Sequence, residues 1–244
     1  MTTPPALRFS LIVPIYNEQE NVQNLLDEVA AVLLPHGPFE ALLVDDGSKD
    51  ASRALMQQWK ERNSAHWLRI VCLAKNCGQS AAVMAGVEQA RARFVATMDG
   101  DMQNDPRDIP TMLQQAESGA ADAVVGVRRQ RKDTFVRRVS SKIGNGVRNW
   151  VTGDRVTDAA CGIKVIRRDL WMRVPRFAGM HRFMATLIRC LGGKVVEMDV
   201  NHRPRAAGTA KYGIGNRALR GLRDCFAVRW LKDRILKHEV REEL

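Results

Sequence analysis

Short apolar runs that break off on polar clusters recur through the first half of the chain and limit its fold more than any other feature. Phe94-Val95-Ala96-Thr97-Met98 ends at Asp99-Gly100-Asp101, and Phe39 to Val44 ends at Asp45-Asp46-Gly47-Ser48. Leu7 to Ile15 runs into Tyr16-Asn17-Glu18, and Asp122 to Val127 stops at Arg128. Runs of this length and composition read as buried strands, and Leu68 to Leu73 is a fifth. Between them lie helical patterns at Glu20–Leu34, Asp50–Arg62, Gly78–Arg91 and Asp108–Ser118. In the first of these, Val22, Leu25, Leu26, Val29 and Leu33 fall on one face. Alternating strands and helices imply right-handed βαβ units and a mostly parallel sheet. Ligands bind such sheets at the carboxyl ends of the strands, so the four polar clusters are expected on one rim.

Past Arg128 the chain turns basic, through Arg128-Arg129-Gln130-Arg131-Lys132 and Arg137-Arg138, into a helix reaching Val151. Asp158 to Lys164 and a short apolar segment follow, then a helix around His181–Leu191 and a strand at Lys194–Val200. A cation-bearing loop from His202 to Tyr212 leads to a last helix, Gly215 to Lys237. No linker interrupts this order. The expected division is a domain over 1–214 completed by a basic amphipathic helix over 215–244.

The two acids after Met98 carry the first chemical inference. Carboxylates at the end of a buried strand are costly without a partner, and a divalent cation supplies one. Mg²⁺ takes oxygen ligands, typically one or two carboxylates plus substrate phosphates. Gly100 lets backbone approach a ligand closely, and Gln103 adds an oxygen from the same turn. The net charge of +11 points to an anionic partner. Five scattered cysteines with no Cys-x-x-Cys suggest reduced thiols used for packing and a cytosolic setting. The first five residues carry no secretion-signal pattern, and no apolar run approaches the roughly 18 residues of a membrane span.

Together these residues resemble glycosyltransferase family 2, and within it the polyprenyl-phosphate sugar transferases of the dolichol-phosphate mannosyltransferase type. The resemblance runs from Phe9 to about Trp230 and rests on an ordered set of motifs: Pro14-Ile15-Tyr16-Asn17-Glu18, Val44-Asp45-Asp46-Gly47-Ser48, Asp99-Gly100-Asp101-Met102-Gln103 with Pro106, Gly126-Val127-Arg128, and Arg205 to Lys211. It implies an α/β, Rossmann-like GT-A fold, a nucleotide-diphospho-sugar transferase domain with a mostly parallel central sheet. It implies inverting transfer of a sugar from a GDP- or UDP-sugar to a polyprenyl phosphate, with Mg²⁺ or Mn²⁺ as cofactor. Carried over residue by residue, Pro14, Tyr16, Glu18, Val44 and Asp46 line the nucleoside pocket, and Asp99 and Gly100 border the nucleotide and its ribose. Asp101 and Gln103 hold the metal. Arg128 contacts the donor phosphate, Arg137 (with Arg138 beside it) receives the acceptor phosphate, and Arg205 and Lys211 close over the donor. Asp101, Arg128 and Arg137 form the expected catalytic group.

A lipid phosphate is already an anion and needs positioning more than a general base. The alternative within the family is a hydroxyl acceptor, which needs a base; Asp158 is the candidate. A basic nucleic-acid-binding module is the reading from another class, and no helix-turn-helix, zinc-finger or RNA-binding motif supports it. Two departures from the family pattern stand out: Ala210 precedes Lys211 where a serine is common, and Gly179 stands where an acid is common before His181-Arg182-Phe183. His181 and His202 read as hydrogen-bonded structural residues, and Trp150, Trp171 and Trp230 as packing or interface residues. The expected location is peripheral, at the cytosolic membrane face. Attachment is expected through the last helix, whose Leu219, Leu222, Phe226 and Trp230 form a stripe flanked by cations. A separate membrane subunit would be the other means of attachment.

Overall fold

A computed structural model describes residues 6–128, 135–204 and 215–235, with the side chains of 135–143 and 215–220 left out of the description. In chain order the elements are β1 (Phe9–Ile15), α1 (Val22–Leu33), β2 (Phe39–Asp45), α2 (Ser52–Arg62), β3 (Leu68–Cys72), α3 (Gln79–Gln89), β4 (Phe94–Thr97), α4 (Asp108–Glu117), β5 (Ala123–Val127), α5 (Phe135–Thr152), β6 (Lys164–Arg167), α6 (Arg168–Arg173), α7 (Met184–Cys190), β7 (Val195–Asp199) and α8 (Gly215–Lys232). A 3-10 turn at Met180–Arg182 precedes α7.

The seven strands form one sheet in the order β3-β2-β1-β4-β6-β5-β7. Both faces are covered, and the alternation of side chains along each strand shows it. Leu11, Val13 and Ile15 of β1, with Ala41 and Leu43 of β2, pack beneath α1, α2 and α4. Ile12, Leu42, Val44 and Val95 point to the other face, beneath α3, α6 and α7. Period-two alternation into two apolar layers is what a doubly covered sheet requires. Helix α3 lies close on its strands because Gly86 has no side chain: a Cβ there would stand 2.5 Å from Ile12 Cγ2.

One strand runs against the rest. β6 pairs antiparallel with both β4 and β5, whereas the other pairings are parallel. From sequence this stretch reads only as a short apolar segment. Because β6 is reversed, its first residue, Lys164, lies at the rim where β1, β2, β4 and β5 end, and it pairs with Thr97 at the end of β4. The helix expected over His181–Leu191 is also shorter. It begins at Met184, because Gly179, at φ +97°, turns the chain into the 3-10 segment first.

The acid-bearing turn after β4 is held from outside. Arg203 donates its backbone N–H to the Gln103 carbonyl at 2.9 Å, and Asn104 bridges to His202. The Arg203 guanidinium pairs with Asp105 at 2.7 Å and with Glu28 of α1 at 2.8 Å. Arg203 and the N–H of Arg107 hold the Asp105 carboxyl below its usual range, against the opposing effect of burial. That stabilisation is present above the unfolded carboxyl pKa and lost as pH falls through the folded one. Asp105→Asn is expected to lower unfolding free energy by about 2 kcal/mol at neutral pH, measured by urea denaturation, with the difference from wild type shrinking below about pH 4.

Candidate active site

The four polar clusters meet at the carboxyl rim as the strand order demands, and the acid turn sits at their centre. Asp99 takes a hydrogen bond from Gln79 Nε2 at 2.8 Å, and its backbone N–H donates to Asn104 Oδ1 at 3.0 Å. Its carboxyl rests on Gly162, where a Cβ would lie 2.1 Å from Oδ2. Burial raises its pKa, and the neighbouring Asp101 raises it further, against the lowering effect of Lys164, Arg128 and the Gln79 bond. Asp101 Oδ1 accepts the Gln103 N–H at 3.3 Å across Met102, which is held at φ +63°. Gln103 Nε2 donates to the Arg203 carbonyl at 3.3 Å, so the amide nitrogen is turned away and its oxygen is the atom left for a ligand.

Two cations stand behind the acids. Lys164 is buried, with Nζ on the Cys161 carbonyl, and burial lowers its pKa. Arg128 is forked onto Asp158, through Nε at 2.7 Å and Nη2 at 2.9 Å, and its backbone N–H reaches the same carboxylate at 3.2 Å. The Arg128–Asp158 pair therefore forms a fixed unit at the exit of β5. Bidentate geometry of this kind is strong and directional.

A cavity of about 450 Å³ opens beside Asp99, lined among others by Pro14, Gln79, Lys164, His181 and Arg182. Its far wall is the 179–182 turn, tied down at two points. Ser80 Oγ lies 2.7 Å from His181 Nδ1, and Arg182 Nη2 lies 2.7 Å from Asp224 of α8. Burial, with the charges of Lys164 and Arg182, pushes His181 down to about 3.

Several expected residues take a different part. Val44 is fully buried beneath α3, so its side chain packs the core and only its backbone could border a ligand. Asp46 accepts from Asn76 Nδ2 at 3.0 Å, Cys77 N at 2.7 Å and Gly78 N at 2.9 Å. Its carboxylate shapes the turn before α3. Gly100 makes its close approach to β1, a Cβ there standing 2.6 Å from Ile15 Cδ1, and not to open ligand space. Tyr16 and Glu18 are half-buried at the exit of β1, where Glu18 takes a bond from Asn21 at 2.7 Å. Arg137 lies in α5, but its side chain is outside the described residues, as are Arg205 and Lys211 altogether. Cys161, Cys190 and Cys225 are buried, whereas Cys72 and Cys77 are exposed, against the packing role expected for all five. Among the described residues no cluster of three or more His, Cys, Asp or Glu could hold a metal by itself. Lys164, Gln79 and His181 are site residues that the motifs did not reveal. His181 is hydrogen-bonded, as expected, but it also lines the cavity.

A family model described as glycosyl transferase family 2 matches residues 10–175. The chain is 40% identical over 228 residues to the dodecaprenyl-phosphate galacturonate synthase of Rhizobium johnstonii, covering 91% of this chain and 67% of that protein. It is 35% identical over 206 residues to the undecaprenyl-phosphate 4-deoxy-4-formamido-L-arabinose transferase of Pectobacterium atrosepticum, covering 84% of this chain and 62% of that protein. The chain thus spans about two thirds of the length of these relatives. The fold is similar to that of a mannosyltransferase from Pyrobaculum calidifontis in complex with GDP-Man and Mn²⁺, at TM-score 0.67 and 20% identity, over 97% of this chain and 67% of that one. Glucosyl-3-phosphoglycerate synthase from Mycobacterium tuberculosis matches at TM-score 0.67 and 15% identity, over 97% and 86%.

The His181 shift has a measurable consequence. Its folded pKa, about 3, lies below the ordinary value of 6.5, so between these limits the unfolded chain binds a proton that the folded chain does not. Stability therefore falls on acidification through that window, by at most about 1.4 kcal/mol per pH unit. His181→Gln is expected to flatten the slope of unfolding free energy between pH 6.5 and 5, measured by urea melts.

Proposed function

This chain belongs to glycosyl transferase family 2, and from that premise we propose that it moves a sugar, with inversion, from a nucleotide-diphosphate sugar to a polyprenyl phosphate. The observation that carries this reading is the pairing of the recessed Asp99/Asp101 turn with buried or ion-paired cations, while both oxygens of Asp158 are occupied by Arg128. A leaving nucleoside diphosphate needs positive charge around it. A phosphate nucleophile needs no proton removed, and Asp158, the carboxylate nearest to the role of base, is engaged. The hydroxyl-acceptor alternative loses support for that reason. The relatives named for dodecaprenyl and undecaprenyl phosphate support the same acceptor class.

The donor set fits a divalent cation: Asp101 supplies a carboxylate and Gln103 an amide oxygen, both hard ligands suited to Mg²⁺ or Mn²⁺. When bound, such an ion neutralises charge on the diphosphate. Asp99 shapes the wall beside it. Arg128 lies next to the leaving phosphate, Arg137 receives the acceptor phosphate, and Arg205 and Lys211 close over the donor. Asp101→Asn is expected to reduce transfer by at least 100-fold with the thermal melt unchanged, and excess chelator is expected to match it. The assay supplies the nucleotide sugars in turn with short polyprenyl phosphate; full activity in chelator would overturn the metal assignment.

The acceptor's head lies at a bilayer surface, and we assign α8 (Gly215–Lys232) to that surface. No helix of the described residues is long and apolar enough to cross a membrane. Cys225 and Val228 turn α8 inward, and Leu222, Phe226 and Trp230 stand 40%, 58% and 60% exposed. Trp150 of α5, 81% exposed, and Val147, 43% exposed, add to the apolar surface. Arg229 and Lys232 donate to the Val151, Thr152 and Gly153 carbonyls at the end of α5, which fixes the two helices together. Arg234 lies over the Trp230 ring. Aromatic residues edged by cations suit an interface with anionic lipid. Flotation with anionic vesicles but not neutral ones is expected, lost in high salt and in the double variant Phe226→Ser with Trp230→Ser. A folded wild type that floats with neither vesicle would leave attachment to a separate membrane subunit, or a soluble acceptor.

A further inference from the structure

His181 is set up to do more than pack. Ser80 Oγ already accepts the Gly179 N–H at 3.0 Å, and His181 Nδ1 lies 2.7 Å from the same oxygen. With the hydroxyl hydrogen directed to Nδ1, the ring proton sits on Nε2, and this is the tautomer the inference below uses. Lys164 and Arg182 line the same cavity and oppose a charged ring, so the imidazole is a neutral donor at physiological pH. The turn that carries it is built for one position. Gly179 is held at φ +97°, a conformation that favours glycine, and a Cβ there would stand 2.6 Å from Arg182 Nη2 and 3.0 Å from Asp224 Oδ2.

A cavity of about 450 Å³ is in the range of small-molecule sites, roughly 300–1,000 Å³. Its charged groups suit phosphate, whereas a neutral N–H on a tethered ring suits an uncharged oxygen. We infer that His181 reads the transferred sugar, its Nε2–H donating to an oxygen on the sugar ring, with Ser80 as the positioning residue that holds the ring in that orientation. The inference rests on the sugar-transfer reading above and assigns the cavity between Asp99 and the 179–182 turn to the sugar, not to the nucleotide. A site built around such a donor discriminates against sugars lacking the matching oxygen.

The test is titration calorimetry in Mn²⁺, comparing each nucleotide sugar with its bare nucleotide: UDP-glucose and UDP-galacturonate against UDP, and GDP-mannose against GDP. For the pair the wild type binds, His181→Ala is expected to lower the ratio of sugar-nucleotide affinity to nucleotide affinity by about 3- to 10-fold, the value of one hydrogen bond, with nucleotide affinity unchanged. Ser80→Ala is expected to lower the ratio less. His181→Gln, whose amide nitrogen falls near the place of Nε2, is expected to restore part of it. The wild-type ratio is expected to stay flat from pH 8 to 5.5. An unchanged ratio in folded His181→Ala, or equal losses for nucleotide and nucleotide sugar, overturns the inference and leaves the transferase reading intact. If His181→Ala does not fold, an unchanged ratio in both Ser80→Ala and His181→Gln overturns it. A wild type that binds no member of the panel overturns the transferase reading and this inference together.

Discussion

Placing a carboxyl group at the end of a buried strand is the constraint on which the rim of this molecule depends. Asp99 follows β4, whose side chains are all buried, and it has a second acid two residues away. Left alone, that arrangement would protonate or distort. Each neighbouring element contributes something that offsets it. Helix α3 sends the Gln79 amide, β6 begins with Lys164, and the 159–162 loop brings a glycine so close that a Cβ there would displace the Asp99 carboxylate. Burial, with Asp101 beside it, still outweighs these contributions, and the Asp99 pKa stays raised.

The reversed strand β6 makes this compensation geometrically possible. A parallel strand between β4 and β5 would start at the opposite rim and bring its first residue there. By running antiparallel, β6 brings its N-terminal residue to the ligand side, opposite Thr97, and the 159–162 loop leading into it becomes cavity wall. The same loop follows Asp158, which clamps Arg128. A single topological exception therefore delivers a buried ammonium, a close glycine and an immobilised guanidinium to one place.

Much of this could be read from residue order. The strand-then-polar-cluster pattern puts Asp46, Asp99, Asp101 and Arg128 on one rim because period-two burial and abrupt polar exits are local properties. Lys164 was hidden because a four-residue strand beginning with a lysine carries almost no periodic signal. His181 was hidden for a different reason: its partner, Ser80, is 101 residues away, and no local pattern reports such a bond. Val44 and Gly100 show the converse case. Both belong to site motifs, yet their close contacts are with Gly86 and with Ile15, inside the scaffold. A motif records which residues stand near a site, and packing decides which of them face it.

Helix α8 shows how scaffold and site come to share one element. Its described residues serve different neighbours at helical spacing, with Arg229 and Lys232 turned to the end of α5. Cys225 and Val228 enter the core, Asp224 turns to Arg182 on the cavity wall, and Leu222, Phe226 and Trp230 form an i, i+4, i+8 ridge on the outside. Any displacement of α8 must act on Asp224, because that carboxylate holds the guanidinium beside the cavity at 2.7 Å. The outer ridge of α8 is thus connected to the cavity wall through the Asp224–Arg182 ion pair and through the packing of Cys225 and Val228 with Met180 and Phe183. The glycine at 179, held at φ +97°, suits that connection, since a Cβ there would stand 2.6 Å from Arg182 Nη2 and the guanidinium would have to shift.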